Sequence, residues 1–79
     1  MSVLVELSPF LRKYVPGYSP SEGLVIESGW GKTVRQIIDE LRIPMEKVNS
    51  IMVNHMPSKM SYVVKDDDTV GLIMALGGG

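Results

Sequence analysis

The sequence predicts an α+β fold, a mixed sheet of four to five short strands with one main helix packed on one face and a flexible C-terminal glycine tail. Three observations predict it. Short runs of branched apolar residues recur towards both ends of the chain, one stretch alone carries helical spacing, and Gly77-Gly78-Gly79 closes the sequence directly after an apolar strand. With 79 residues the chain has room for one domain and a modest core. Residues 1–76 are read as that domain and 77–79 as the tail.

The elements follow in order. Val3-Leu4-Val5-Glu6-Leu7 alternates Val3, Val5 and Leu7 on one face and is stopped by Ser8-Pro9, which predicts the first strand. Phe10, Leu11 and Tyr14 can seat a single helical turn, and Pro16-Gly17, Ser19-Pro20 and Gly23 punctuate a long loop. Leu24-Val25-Ile26-Glu27 then reads as a second strand, antiparallel to the first. Trp30, between Gly29 and Gly31, is read as a lid over the helix start, with an exposed partner anchor as the alternative. Thr33 stands three residues before Gln36, the spacing of a capping box, so a helix is expected from about Val34. Val34, Ile37, Ile38 and Leu41 share one face, with Arg35, Asp39, Glu40 and Arg42 on the other, and Pro44 is expected to end the helix near Ile43.

After the helix, Ser50-Ile51-Met52-Val53-Asn54 reads as a strand, His55-Met56-Pro57 as a turn and Tyr62-Val63-Val64 as a possible short strand. Asp66-Asp67-Asp68 reads as a polar turn; a calcium loop is disfavoured because the glycine and closing glutamate of an EF-hand are missing. Thr69 to Leu76 is the last strand, expected parallel and adjacent to the first at the sheet centre, an arrangement called β-grasp. Both alternating sets within it, Val70, Leu72, Met74, Leu76 and Gly71, Ile73, Ala75, are free of polar side chains. One set packs on the helix, and the other is either covered by the chain itself or forms a docking patch beside the tail.

Composition narrows the function. Apolar residues make up 44% and charged residues 22%, ordinary for a globular domain. Eight Lys and Arg against nine Asp and Glu give a net charge of −1, without the basic excess that a nucleic-acid partner requires. The absence of cysteine excludes disulfides, thiolate metal ligands and a thiol nucleophile, and fits a reducing cytoplasm. No apolar stretch approaches the roughly 20 residues that span a bilayer, and the amino terminus lacks a signal-peptide pattern, so neither membrane nor export is expected. His55 is the lone histidine and is read as a solvated turn residue, leaving no metal set. No catalytic triad or phosphate loop is visible, so no catalytic residue is assigned.

The segment from Ile43-Pro44-Met45 through Val48-Asn49-Ser50-Ile51-Met52-Val53-Asn54, then Asp66-Asp67-Asp68-Thr69-Val70 and a terminal Gly-Gly, resembles the ThiS/MoaD family of sulfur-carrier proteins with a ubiquitin-like β-grasp fold. Leu11-Arg12-Lys13-Tyr14 and Thr33-Val34 also fit, and these features lie in family order over nearly the whole chain. The chain departs from the family pattern in three places. His55 and Asp67 stand where glycine is usual, and no Pro-Pro pair precedes the tail.

What the resemblance implies is specific. The carboxylate of the terminal glycine, Gly78 or Gly79, would be adenylated by an E1-like adenylyltransferase using ATP and magnesium, then converted to a thiocarboxylate. The sulfur would pass to thiazole synthase or to the large subunit of molybdopterin synthase, for thiamine or molybdenum cofactor biosynthesis. The carrier itself would bind no cofactor and would be a co-substrate rather than an enzyme. Gly77 with Leu72, Met74 and Leu76 would form the tail base and partner-docking stretch. Two other classes stay open: a ubiquitin-like protein modifier, which uses the same activated terminus, and a noncovalent β-grasp interaction module, for which the tail is incidental.

Overall fold

The computed structural model describes residues 2–27 and 29–75. Five strands form one mixed sheet: β1 (Val3–Leu7), β2 (Leu24–Ile26), β3 (Ser50–Val53), β4 (Met56–Pro57) and β5 (Thr69–Ile73), in the order β2-β1-β5-β3-β4. The first and last strands lie side by side and parallel, Leu4 opposite Thr69 through Leu7 opposite Leu72, while β5 is antiparallel to β3. β2 is antiparallel to β1. With helix α1 (Val34–Glu40) on one face, the architecture is the β-grasp fold that the element order predicts.

The period-2 pattern of the strands and the 3.6-residue pattern of the helix meet in one core. Val3, Val5 and Leu7 of β1, Val70 and Leu72 of β5, and Ile51 and Val53 of β3 are buried with Val34, Ile37 and Ile38 of α1. Leu11, from a 3₁₀ turn over Pro9–Tyr14, and Val64 complete it.

The helix starts as its sequence dictates. The Thr33 hydroxyl accepts from the Gln36 amide at 3.1 Å, and the Gln36 side chain accepts from the Thr33 amide at 2.8 Å, so two otherwise orphaned donors are satisfied reciprocally. It ends earlier than Pro44 requires. Arg42 adopts φ 60°, the Ile43 amide donates to the Ile38 carbonyl at 3.2 Å and the Arg42 amide to Asp39 at 3.0 Å, the paired bonds of a Schellman motif. Ile43 folds back into the core beside Ile38, and that apolar contact substitutes for the glycine such a stop usually carries.

Three further elements differ from the sequence reading. Met56 and Pro57 are not turn residues but the short edge strand β4; the turn is Asn54-His55, with φ 52° and 68°. Positive φ at both central residues is the two-residue type I′ hairpin, whose twist matches its strands. Tyr62-Val63-Val64 makes only an isolated bridge, Val63 to Thr33, because these residues cross beneath the start of α1 and give their backbone groups to it. Trp30 is 52% exposed and is no lid. The backbone of Gly29 beside it packs against β1 and β2, so close that a Cβ on it would stand 3.3 Å from Val3 Cβ and 3.2 Å from Ile26 Cγ2.

The hairpin yields a test. A non-glycine residue held at positive φ is disfavoured, so His55→Gly should raise stability by about 0.5–1 kcal/mol in denaturant unfolding, with an unchanged m-value.

Candidate functional site

Four of the residues assigned to the tail and its base, Leu76, Gly77, Gly78 and Gly79, lie outside the described residues. The site that can be described is the base from which they continue, at the C-terminal end of β5. There Leu72 corrects the sequence reading. It is fully buried on the helix-facing side of the central strand, so it serves the core and is not presented to a partner. Met74 is half-buried and packs against the same core. The opposite face of the sheet carries Gly71, Ile73, Met52 and the exposed Glu6 around a shallow depression.

β1 stops opposite Leu72 and β3 begins opposite Ile73, the last residue of β5, and beyond them two side chains take over. Past β1, the Ser8 amide donates to the Leu72 carbonyl at 3.0 Å, as a parallel ladder requires. The Ser8 carbonyl is turned away to accept from Leu11 at 3.0 Å and start the 3₁₀ turn. Its hydroxyl oxygen replaces that carbonyl in the ladder and accepts from the Met74 amide at 2.9 Å. On the other flank the Asn49 amide donates to the Ile73 carbonyl at 2.8 Å, and Asn49 Oδ1 accepts from the Ala75 amide at 2.8 Å. The chain before Asn49 is a 3₁₀ turn, Met45–Lys47, and offers no extended backbone to pair with. Consecutive amides of an extended chain point to opposite sides, and here each finds one side-chain oxygen. Met74 and Ala75 are thus tied from left and right after the ladder has ended.

Neither Ser8 nor Asn49 was singled out by sequence reasoning. The available signal was an oxygen-bearing side chain next to each strand end, Ser8 before Pro9 and Asn49 before β3, a type that commonly stands in for backbone acceptors.

The other end of β5 is secured by Asp68, a turn residue that is only 6% exposed. Its carboxylate accepts from the Asn54 side-chain amide, the Tyr62 hydroxyl and the Lys65 backbone amide, each at 2.8 Å. Asn54 in turn accepts from the Thr69 amide at 2.9 Å through Oδ1. Burial alone would raise the Asp68 carboxyl's pKa; the bonds from Lys65, Tyr62 and Asn54, with the Lys65 charge, outweigh it and hold that pKa below its ordinary value. The Tyr62 hydroxyl is pushed up, first by its hydrogen bond to Asp68, then by burial and the neighbouring negative charge.

These features leave a chemically plain surface. Among the described residues no cluster of His, Asp or Glu is arranged to hold a metal ion, and no helix is long and apolar enough to cross a membrane. The base of the tail, aimed out of the sheet centre, is the feature to compare with known proteins. A family model described as the ThiS family matches residues 16–79. The chain belongs to the ThiS family. This ThiS-family protein is also similar in structure to SAMP1 from Haloferax volcanii, known from a crystal structure, with a TM-score of 0.71, 13% identity and full coverage of both chains. At that identity the likeness shows the shared β-grasp fold. No curated protein matches the sequence. Membership of the ThiS family places the protein with small sulfur-carrier proteins, generally not enzymes themselves, and the structural likeness shows the ubiquitin-like β-grasp fold.

The Asp68 network sets a pH dependence. A carboxyl whose pKa is lower folded than unfolded stabilises the fold above its unfolded pKa, and that stability is lost as pH falls through the folded value. Stability should therefore decline as pH is lowered from about 5 through the carboxylate range near 4 and below. Asp68→Ala should cost roughly 2–4 kcal/mol at pH 7, since three donors lose a charged acceptor, and should flatten that acid limb in urea titrations.

Proposed function

We propose that this protein is a sulfur carrier whose C-terminal glycine, Gly79 or Gly78, is activated and loaded by partner enzymes. Membership of the ThiS family, with the match running through the glycine tail, is the observation that carries this reading. The central position of β5 supports it, because the strand that continues into the tail is paired on both sides, with β1 and with β3. A glycine tail presents no side chain to a channel wall and takes up almost any backbone conformation.

The chemistry belongs to the terminus. A carboxylate is a poor electrophile. Attack of its oxygen on the α-phosphorus of ATP, in an E1-like adenylyltransferase supplied with magnesium, releases pyrophosphate and leaves an acyl adenylate. Sulfur delivered at the sulfide level then attacks the acyl carbon, a C–S bond forms as the C–O bond to AMP breaks, and the acyl carbon keeps sulfur in place of one oxygen. The thiocarboxylate passes its sulfur to thiazole synthase or to the large subunit of molybdopterin synthase, and the reaction takes place in the cytoplasm. Residues 1–76 act as the docking body and 77–79 carry the reactive terminus. Docking falls to the sheet face around Gly71 and Ile73, beside Met74, now that Leu72 is assigned to the core.

Intact-protein mass spectrometry after incubation with an E1-like adenylyltransferase, ATP, magnesium and a sulfur donor tests the proposal. The expected product gains the mass of one sulfur exchanged for one oxygen, and a chain lacking Gly78 and Gly79 gains nothing. Conjugates to protein lysines that vanish with the same truncation would instead establish a ubiquitin-like modifier. Function that survives the truncation would point to a noncovalent module.

A further inference from the structure

We propose that Ser8 and Asn49 are positioning residues that aim the tail at the activating enzyme, an inference that rests on the carrier reading. Their side-chain oxygens bind two successive backbone amides, Met74 at 2.9 Å and Ala75 at 2.8 Å, from opposite flanks of the same strand. Among the described residues neither oxygen has another hydrogen-bond partner, and the Ser8 hydroxyl does not cap the 3₁₀ turn that it precedes. The backbone of each residue is otherwise engaged in the ladder or the turn, so the oxygens are free for this purpose.

Their effect is to move the last fixed point of the chain outward by two residues, from Ile73 to Ala75. The segment 76–79 spans at most about 14 Å when fully extended. With Ala75 held, that length is counted from a point just beyond the end of the central strand. With the two bonds removed, the last tied residue is again Ile73, two residues further from the terminus. Each residue that must be ordered at the partner rather than beforehand lowers the population of productive geometries by roughly an order of magnitude. Asn49 lies outside the depression proposed for docking whereas Ser8 lines it, so a defect confined to the chemical step is the signature of the Asn49 variant.

The test compares Ser8→Ala, Asn49→Ala and the double variant with the full chain as substrates of an E1-like adenylyltransferase, following pyrophosphate release. The expected result is a kcat about 3- to 30-fold lower for Asn49→Ala with KM within about twofold, and a kcat lower again for the double variant, in which Met74 is released as well. Ser8→Thr and Asn49→Asp keep an acceptor oxygen at the same place and should restore kcat. Thr33→Ala, which weakens the fold at a distant helix cap, should leave kcat unchanged and so separates aiming from stability. Amide exchange at Met74 and Ala75 should accelerate in the alanine variants while exchange across β1 and β3 stays slow.

A wild-type chain that is adenylated while the alanine variants match its kcat overturns the inference alone. Equal losses in Thr33→Ala and the clamp variants, or no change in exchange at Met74 and Ala75, also overturn it. A wild-type chain that is not adenylated by an active enzyme overturns the carrier reading and the inference together.

Discussion

The structure depends on the central placement of β5. The last strand in sequence is third of five across the sheet, bonded to β1 on one side and β3 on the other, so neither half of the sheet is joined to the other without it. Val70 and Leu72 are fully buried under α1, and their alternation fixes which face of the strand meets the helix. A one-residue slip would turn Gly71 and Ile73 inward and empty the core at its middle. Register is therefore specified most strongly at the strand from which the tail continues.

Side-chain hydrogen bonds guard both ends of that strand. At its start the Asp68 carboxylate gathers Asn54, Tyr62 and Lys65, joining the hairpin after β3 to the loop before β5. At its end Ser8 and Asn49 hold Met74 and Ala75. The same device serves the neighbouring strand: beyond the point where β2 stops pairing, the Tyr18 hydroxyl accepts from the Leu7 amide and Arg12 Nε donates to the Leu7 carbonyl. In a sheet whose edge strands are two and three residues long, side chains complete what short ladders leave unpaired.

The fold was legible in the sequence wherever local pattern and tertiary context agreed. Val3-Val5-Leu7, Val34-Ile37-Ile38 and the Thr33/Gln36 cap announce elements that packing then confirms. Reading failed where a neighbour outweighed the local signal. Pro44 suggested a helix running to Ile43, but the gain from returning Ile43 to the core ends it at Glu40 and places Arg42 at φ 60°. His55 and Asp67, where the family usually has glycine, both take φ 68°; this backbone demand is hidden when the residue is not glycine. Leu72 was misassigned because both alternating sets of β5 are apolar, and only the position of α1 distinguishes them. Asp68 looked like a solvated turn residue because its partners come from Asn54 and Tyr62, brought near only by the fold.

The parallel pairing of β1 with β5 has a kinetic meaning. Leu4 finds its partner Thr69 only after nearly the whole chain has been gathered into a closed loop, and the entropy of that closure is spent before any bond of the pair rewards it. The β1–β2 pair and α1 draw on contacts closer in sequence, whereas the centre of the sheet is built from contacts far apart. Pairing of this sequence separation works against fast folding, since its contacts reward closure only after the loop entropy has been spent. Until β5 is seated, β1 is an unpaired apolar edge, the state in which such a chain is most exposed to aggregation.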